Sequence, residues 1–396
     1  MNYRFLIYLL LIGANFGCKK PYLPPIISSP GTYLVVEGVI SSGIQSTVIK
    51  LNRTVNLSNG VSTNPVRGAV LAVESNQNDS YPLAETSPGT YVSVGIALDN
   101  SKKYRLRIKT ADNKQYLSDF VAVVNSPPID SVYYKTSTPG LTIYADTHDP
   151  QNNTRYYRWD YQETWIIHSA YDSYFKSNGD TVLFRDLVND NIYQCWSSDF
   201  SNTIVLNSSA KLSKDIITNN PVTFIPVNSE KIWVKYSVMV KQYALSADAY
   251  GFWQNLKKNT EQLGSIFDAQ PTQLNGNIHS ITNPSEPVIG YISAGNISSQ
   301  RIFITNQQLP NWVAAHTDPN CQLDTFYYIY YPPGSKTPVN QVNQYLNKNH
   351  GAVNPLIPVS AISPPGAPKP IGFTASDQGC VDCTLRGTNK QPAFWK

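Results

Sequence analysis

The chain has 396 residues, enough for two or three domains with a sizeable core. Its charged fraction of 15% is low, its aromatic fraction of 12% is high, and 31 Lys and Arg against 27 Asp and Glu leave a formal net charge of only +4. Because the basic residues are scattered rather than blocked, nucleic acid is excluded as an implied partner. Short runs of Thr, Val, Tyr and Ile between Pro, Gly, Asn and Ser point to a mainly β class.

Residues 1–17 read as an export signal. Arg4 supplies a positive start and residues 5–14 (FLIYLLLIGA) an apolar core, whose roughly ten residues fall short of the about twenty that a membrane span needs. Gly17 then precedes a single Cys18, followed by Lys19 and Lys20. A lone cysteine directly after the apolar core is the pattern of a bacterial lipoprotein, although Asn15 stands where the usual motif has Leu. On this reading Cys18 is acylated and becomes the mature N-terminus, and the first expected partner is a membrane reached through the lipid. Residues 18–31 are Pro-rich without periodicity and read as an extended tether.

From residue 32 the pattern changes to short strands: 33–40, 47–51, 69–74, 89–94, 103–109 and 115–124, separated by turns such as Asn59-Gly60 and Ala111-Asp112-Asn113-Lys114. Alternation is cleanest where Tyr104, Leu106 and Ile108 oppose Arg105, Arg107 and Lys109, one face dry and one wet. Residues 32–126 are therefore expected to form an immunoglobulin-like or transthyretin-like sandwich. Pro127-Pro128 closes it, because two prolines cannot continue a central strand.

Residues 127–396 are expected to form a larger β domain. Strands are read at 131–134, 141–146, 156–165, 203–207, 233–243, 288–294 and 301–305. In 156–165 (YYRWDYQETW), Tyr157, Trp159, Tyr161, Glu163 and Trp165 share the face read as core-facing, with Glu163 buried and paired or at the strand's damp end. One helix is predicted over 247–263, with Ser246 as its cap, Asp248 in its first turn, Ala249, Phe252, Trp253, Leu256, Thr260 and Leu263 on one face, and Gly264 ending it. Residues 169–191 read as a polar insertion and 332–370 as a long loop pinned by disulfides, while the terminal Phe394-Trp395 is expected to pack on this domain.

Past Cys18 stand Cys195, Cys321, Cys380 and Cys383, most simply two disulfides in an oxidising compartment. Cys380-x-x-Cys383 lacks the βαβ context of a redox motif and the second ligand pair of a zinc site, which favours a structural role. Two arrangements remain open: Cys195 and Cys321 each paired with one member of the couple, or a local Cys380–Cys383 bridge with Cys195–Cys321. The five His residues are far apart, and the sequence contains no G-x-S-x-G, H-E-x-x-H, P-loop or EF-hand pattern. No enzyme activity and no cofactor are implied. Asp146, His148 and Asp149, with Asp160, are the best cation candidates, against ordinary turn chemistry at Asp149-Pro150. Tyr171, Tyr174 and Phe175 in the polar insertion are the aromatics placed to stack on a sugar ligand. Asp180-Thr181-Val182 resembles a short bacterial O-glycosylation acceptor at Thr181, and Asp130-Ser131-Val132 has the same form.

Several phrases together resemble one family, the outer-membrane lipoproteins of the Bacteroidota grouped as domain of unknown function 4249. They are the Cys18 anchor with its Pro-rich spacer, LVVEGVI at 34–40, GTY at 89–91, PPIDSVYY at 127–134 and YYRWDYQETW at 156–165. QYALSADAYGFW at 242–253, GSIFDAQP at 264–271, GNI at 276–278, CVDC at 380–383 and PAFW at 392–395 complete the set. The resemblance implies a carboxypeptidase-regulatory-like sandwich followed by a larger β-sandwich with one helix and long insertions. It also implies an outer-membrane setting beside a TonB-dependent transporter, with the cell surface favoured over the periplasmic face although Lys19-Lys20 stand where surface-exported members commonly have acidic residues. The expected function is that of a non-enzymatic accessory subunit in nutrient capture or uptake, and the alternative is a free-standing glycan- or peptide-binding lipoprotein or adhesin.

Overall fold

A computed structural model describes residues 33–43, 45–55, 63–93, 95–261, 274, 276–312 and 320–396. The signal, Cys18 and the tether, the Asn59-Gly60 turn, Leu263 and residues 264–271 lie outside these. The described chain is mainly β.

Alternation builds the first sandwich. Tyr104, Leu106 and Ile108 of Lys103–Lys109 meet Ile49 and Leu51 of Thr47–Arg53 and Leu34, Val36 and Ile40 of Leu34–Ser41 in one apolar core. Ser80–Ser87 pairs with Val70–Ser75 on one side and Thr90–Ser93 on the other, carrying the sheet from one layer to the next. Sequence pattern misses this strand because Pro82 interrupts it and only Leu83 is buried.

The boundary expected at residue 126 needs correction. Ile278–Ser280 pairs antiparallel with Gln115–Ser118, while Val288–Ile289 and Ser293–Gly295 run parallel to Leu34–Ser41. The first domain is therefore discontinuous, residues 33–126 completed by 277–295. These strands satisfy the second edge of Leu34–Ser41, which an isolated sandwich would leave open. Gly290 permits the approach: its φ is +146°, and a Cβ there would lie 2.2 Å from the Val36 carbonyl oxygen. Glu286 fastens the returning segment, accepting from Tyr116 Oη at 2.9 Å and from Lys114 Nζ at 3.2 Å. Burial, and then the Glu286 carboxylate, push the Tyr116 hydroxyl up to about 12.

On the wet face of this sandwich Glu74 lies in register with Arg105 and accepts from the Nε of both Arg105 and Arg107. Burial raises its carboxyl pKa, but the hydrogen bonds and charges of Arg107 and Arg105 outweigh burial and hold it below the usual range. A pKa lowered by folding contributes stability above the unfolded-state value that is lost as pH falls through the folded-state value. Glu74→Gln is expected to cost roughly 1 kcal/mol at pH 7. The gap between variant and parent should close below about pH 4. Urea denaturation at pH 7 and pH 3 checks this; an equal gap at both values would assign the loss to packing instead.

In the second domain Tyr156–His168 and Lys235–Leu245 pair at the centre of a sheet flanked by Gln194–Phe200 and Ile297–Thr305, with Val205–Ser208 also on Tyr156–His168. The facing layer is Asp215–Pro226, Gly140–Asp149 and Ile129–Ser137. Asp215–Pro226 escapes sequence reading because Pro221 and two register shifts against Gly140–Asp149 break its period. Between the layers lie Tyr157, Trp159, Tyr161 and Trp165, the face of 156–165 expected to point inward. Gln242, fully buried, accepts from Trp159 Nε1 at 3.0 Å and donates to the Pro127 carbonyl and Thr147 Oγ1, each at 3.0 Å. One amide thus pins the interdomain proline linker to the second core.

The helix spans Ala247–Glu261, with Ser246 Oγ accepting from the Ala249 amide at 3.2 Å and Ala249 and Phe252 buried. Residues 332–370 are not a long loop. They supply the helix Gln341–Leu346 and the strand Ile357–Ile362, which joins Gly372–Ser376 and Asp324–Tyr327 in a three-stranded sheet. The elements are too short, and Pro358 too disruptive, for a period to show. The terminal Trp395 is buried against Trp196 and Phe303, and Arg301 lies 3.6 Å from the Phe394 ring centre.

Candidate functional site

The cysteines form Cys195–Cys383 and Cys321–Cys380, so the local Cys380–Cys383 bridge is not made. The aromatics expected to hold a ligand are corrected by the same region. Phe175 is 8% exposed and packs between Phe184 and Phe373 in the small C-terminal core. Tyr171 is half-buried beside Cys321, to whose carbonyl it donates at 2.9 Å. Of the three only Tyr174 is exposed, so they make no stacking platform. Thr181 is exposed at the tip of the hairpin formed by Phe175–Ser177 and Val182–Phe184. Ser131 instead lies within Ile129–Ser137, half-buried.

The acidic cation candidates are not gathered either. Asp149 accepts from the amides of Gln151, Asn153 and Thr154 at 2.8 to 3.0 Å. Burial raises its pKa, and those amides reverse the effect and hold it below the usual carboxylate range. Asp146 accepts from Tyr133 Oη and the Asn219 amide, and His148 turns to Asp130 at 2.8 Å. Turn and strand-edge hydrogen bonding saturates these carboxylates. Among the described residues no three His, Cys, Asp or Glu side chains converge as a metal site.

What the structure does assemble is a cleft of about 1000 Å³ between the two domains. One wall is the outer face of the first sandwich, where Val35, Glu37 and Val39 lie beside Val48 and Lys50. The other is the outer face of the second sheet: Arg158, Asp160 and Gln162 on one strand, and Met239, Lys241 and Tyr243 opposite them on the next. The helix contributes Trp253, and the loop after Gln194–Phe200 contributes Asn202 and Thr203.

Arg158 organises the floor. It is 8% exposed, donates from Nη2 to Asp160 Oδ2 at 3.0 Å, and its guanidinium carbon lies 4.0 Å from the Trp253 ring centre and 4.4 Å from that of Tyr243. Two such cation–π contacts stabilise by about 1 kcal/mol or more each when shielded from water. The Arg158 Nε is buried without a hydrogen-bond partner among the described residues. Burial, and then the negative charge of Asp160, push the Tyr243 hydroxyl well above its ordinary value, so it stays a neutral phenol. The arrangement holds an oriented cation on an aromatic bed and can receive an acceptor group. Sequence alternation puts Arg158, Asp160 and Gln162 on the wet face of 156–165, but no local signal says that a second domain faces them.

Among solved structures the chain is similar to a segment of two fibronectin type III domains from chicken tenascin, at 12% identity over 54% of this chain and 93% of that one, with a TM-score of 0.17. It is also similar to the FN1–FN3 domains of chicken CNTN1, at 12% identity over 54% and 62%, with a TM-score of 0.18. A third likeness is to the collagen adhesin of S. aureus, at 7% identity over 69% and 96%, with a TM-score of 0.14. Scores this low carry no argument about function. No curated protein matches the chain. The family described as Domain of unknown function (DUF4249) matches residues 19–301, well over half of the chain. That match begins directly after Cys18 and takes in the first sandwich, the long paired strands that floor the cleft and the returning segment, and the chain therefore belongs to the DUF4249 family.

Proposed function

We propose that this chain is a non-enzymatic, lipid-anchored protein of the outer membrane, facing the medium, that serves as an accessory subunit of a TonB-dependent transporter in nutrient capture or uptake. The observation that carries the reading is the joining of an anchor to an oxidised body: a lone cysteine, Cys18, after an export signal, and beyond it β domains closed by two disulfides, which fit an oxidising compartment outside the cytoplasm. No helix among the described residues is long and apolar enough to cross a membrane. In this role the lipid supplies locality and residues 18–31 supply reach, raising the effective concentration of the β domains against a membrane partner so that weak contacts suffice.

Pull-down of the tagged, lipidated chain from gently solubilised outer membranes of its native host, beside a Cys18→Ala control, tests the proposal. A transporter is expected in near-equal amount with the parent and not with the control. Recovery of the chain alone, under conditions that preserve a known transporter complex, overturns it. The interdomain cleft favours a second reading, a free-standing binding protein, which requires affinity for a soluble ligand without any partner.

A further inference from the structure

We propose that the interdomain cleft binds a carboxylate carried on an apolar body, with the Lys241 ammonium and the Arg158 guanidinium receiving the carboxylate. The site belongs to the chain by itself and does not depend on a transporter.

Charge is the first ground. On the first-domain wall Glu37 and Lys50 are direct cross-strand partners and balance one another. On the opposite wall a single carboxylate, Asp160, serves two cations, bonded to Arg158 at 3.0 Å and in register with Lys241. That wall therefore carries one positive charge in excess, and an anionic ligand completes it. Arg158 itself is the second ground. Trp253 and Tyr243 hold its guanidinium plane, and its Nε, buried and unpartnered among the described residues, leaves a charged donor unsatisfied. Such a group is costly to leave without an acceptor, and a carboxylate is the acceptor that matches a guanidinium in charge and planarity. The third ground is the wall across the gap. Val39 with Val48, and Val35 with Ile289, form two aliphatic patches either side of the Glu37–Lys50 pair on the outward face of the first sandwich, where strand alternation ordinarily places polar residues, and Val48 is 38% exposed. An apolar ligand body covers those patches while its carboxylate lies on the cationic floor.

A fatty acid and the C-terminus of a short apolar peptide share this chemistry. Titration calorimetry on the intact mature chain separates them, using octanoate, octanol, and the tripeptide Val-Leu-Phe as free acid and as C-terminal amide. At least one acid is expected to bind, with its neutral counterpart weaker by about tenfold or more. Binding of octanoate alone assigns the site to lipid acids, and binding of the free tripeptide alone assigns it to peptide termini. Lys241→Gln and Arg158→Gln are each expected to weaken the bound acid about tenfold. If circular dichroism shows Arg158→Gln unfolded, Lys241→Gln decides. The proposal is overturned if neither acid binds, if octanol and the amide bind as well as the acids, or if the folded variants retain full affinity. The pull-down is run without ligand, so a failure here leaves its result standing.

Discussion

Replacing both Cys195 and Cys383 with Ser is expected to lower the stability of the chain by about 5 kcal/mol, the largest loss anticipated for any small change in covalent structure. The bridge joins residues 188 apart and both cysteines are fully buried, so its removal frees a long loop in the unfolded chain and opens a well-packed site in the folded one. The Cys321–Cys380 bridge spans only 59 residues, and its removal is expected to cost about 4 kcal/mol. Guanidinium denaturation gives both values. Location separates the two more sharply than magnitude does. Loss of Cys195–Cys383 should release the tail, seen as a change in the near-ultraviolet circular dichroism of Trp196 and Trp395. Loss of Cys321–Cys380 should open the small three-stranded sheet to limited proteolysis. A cost below about 1 kcal/mol for the Cys195 and Cys383 pair would overturn the view that this bridge staples the tail to the second core.

Lys231→Met is expected to cost about 3–5 kcal/mol, because it leaves a buried carboxylate without its cation. Glu163 is 3% exposed and accepts from Lys231 Nζ and, at 2.8 Å, from Tyr236 Oη. Burial, and then the Glu163 charge, push the Tyr236 hydroxyl well above its ordinary value, so it serves as a fixed donor. The Lys231 ammonium also lies 4.9 Å from the Trp165 ring centre. Adding Glu163→Gln to Lys231→Met should recover most of the loss, since a neutral amide keeps the Tyr236 hydrogen bond without an unpaired charge. A double-mutant cycle by urea denaturation measures the coupling. A value under about 0.5 kcal/mol would mean that the pair acts independently.

The same strand shows how far sequence carries. Alternation in 156–165 marks Trp159 and Glu163 as inward-facing, and both are buried. The helix from Ala247 is legible because Ser246 caps it and its apolar positions repeat at helical spacing. Elements stabilised by distant partners are not legible. Ser80–Ser87 buries little and holds its place by pairing on both sides, and Phe175 looks like an insertion residue until Phe373 meets it from nearly two hundred positions away. The cleft is hidden for the same reason. Arg158 sits on the strand face opposite the one read as core-facing, and periodicity reports which face a side chain takes and not what stands opposite.

The returning segment has a consequence for the order of assembly. Leu34 pairs with Arg53 early in the chain and with Val288 late in it. A chain made from its N-terminus can form the first hairpins at once, but one flank of LVVEGVIS stays unzipped until residues beyond 288 exist. Contacts so remote in sequence are slow to close. Throughout that interval an apolar strand offers its backbone to any other extended chain, including a copy of itself. Refolding from denaturant should therefore show a slow, concentration-sensitive phase, and a fragment ending at residue 126 should self-associate through the strand that 288–295 normally caps. The late-made strands act, in effect, as an intramolecular chaperone for the earliest one.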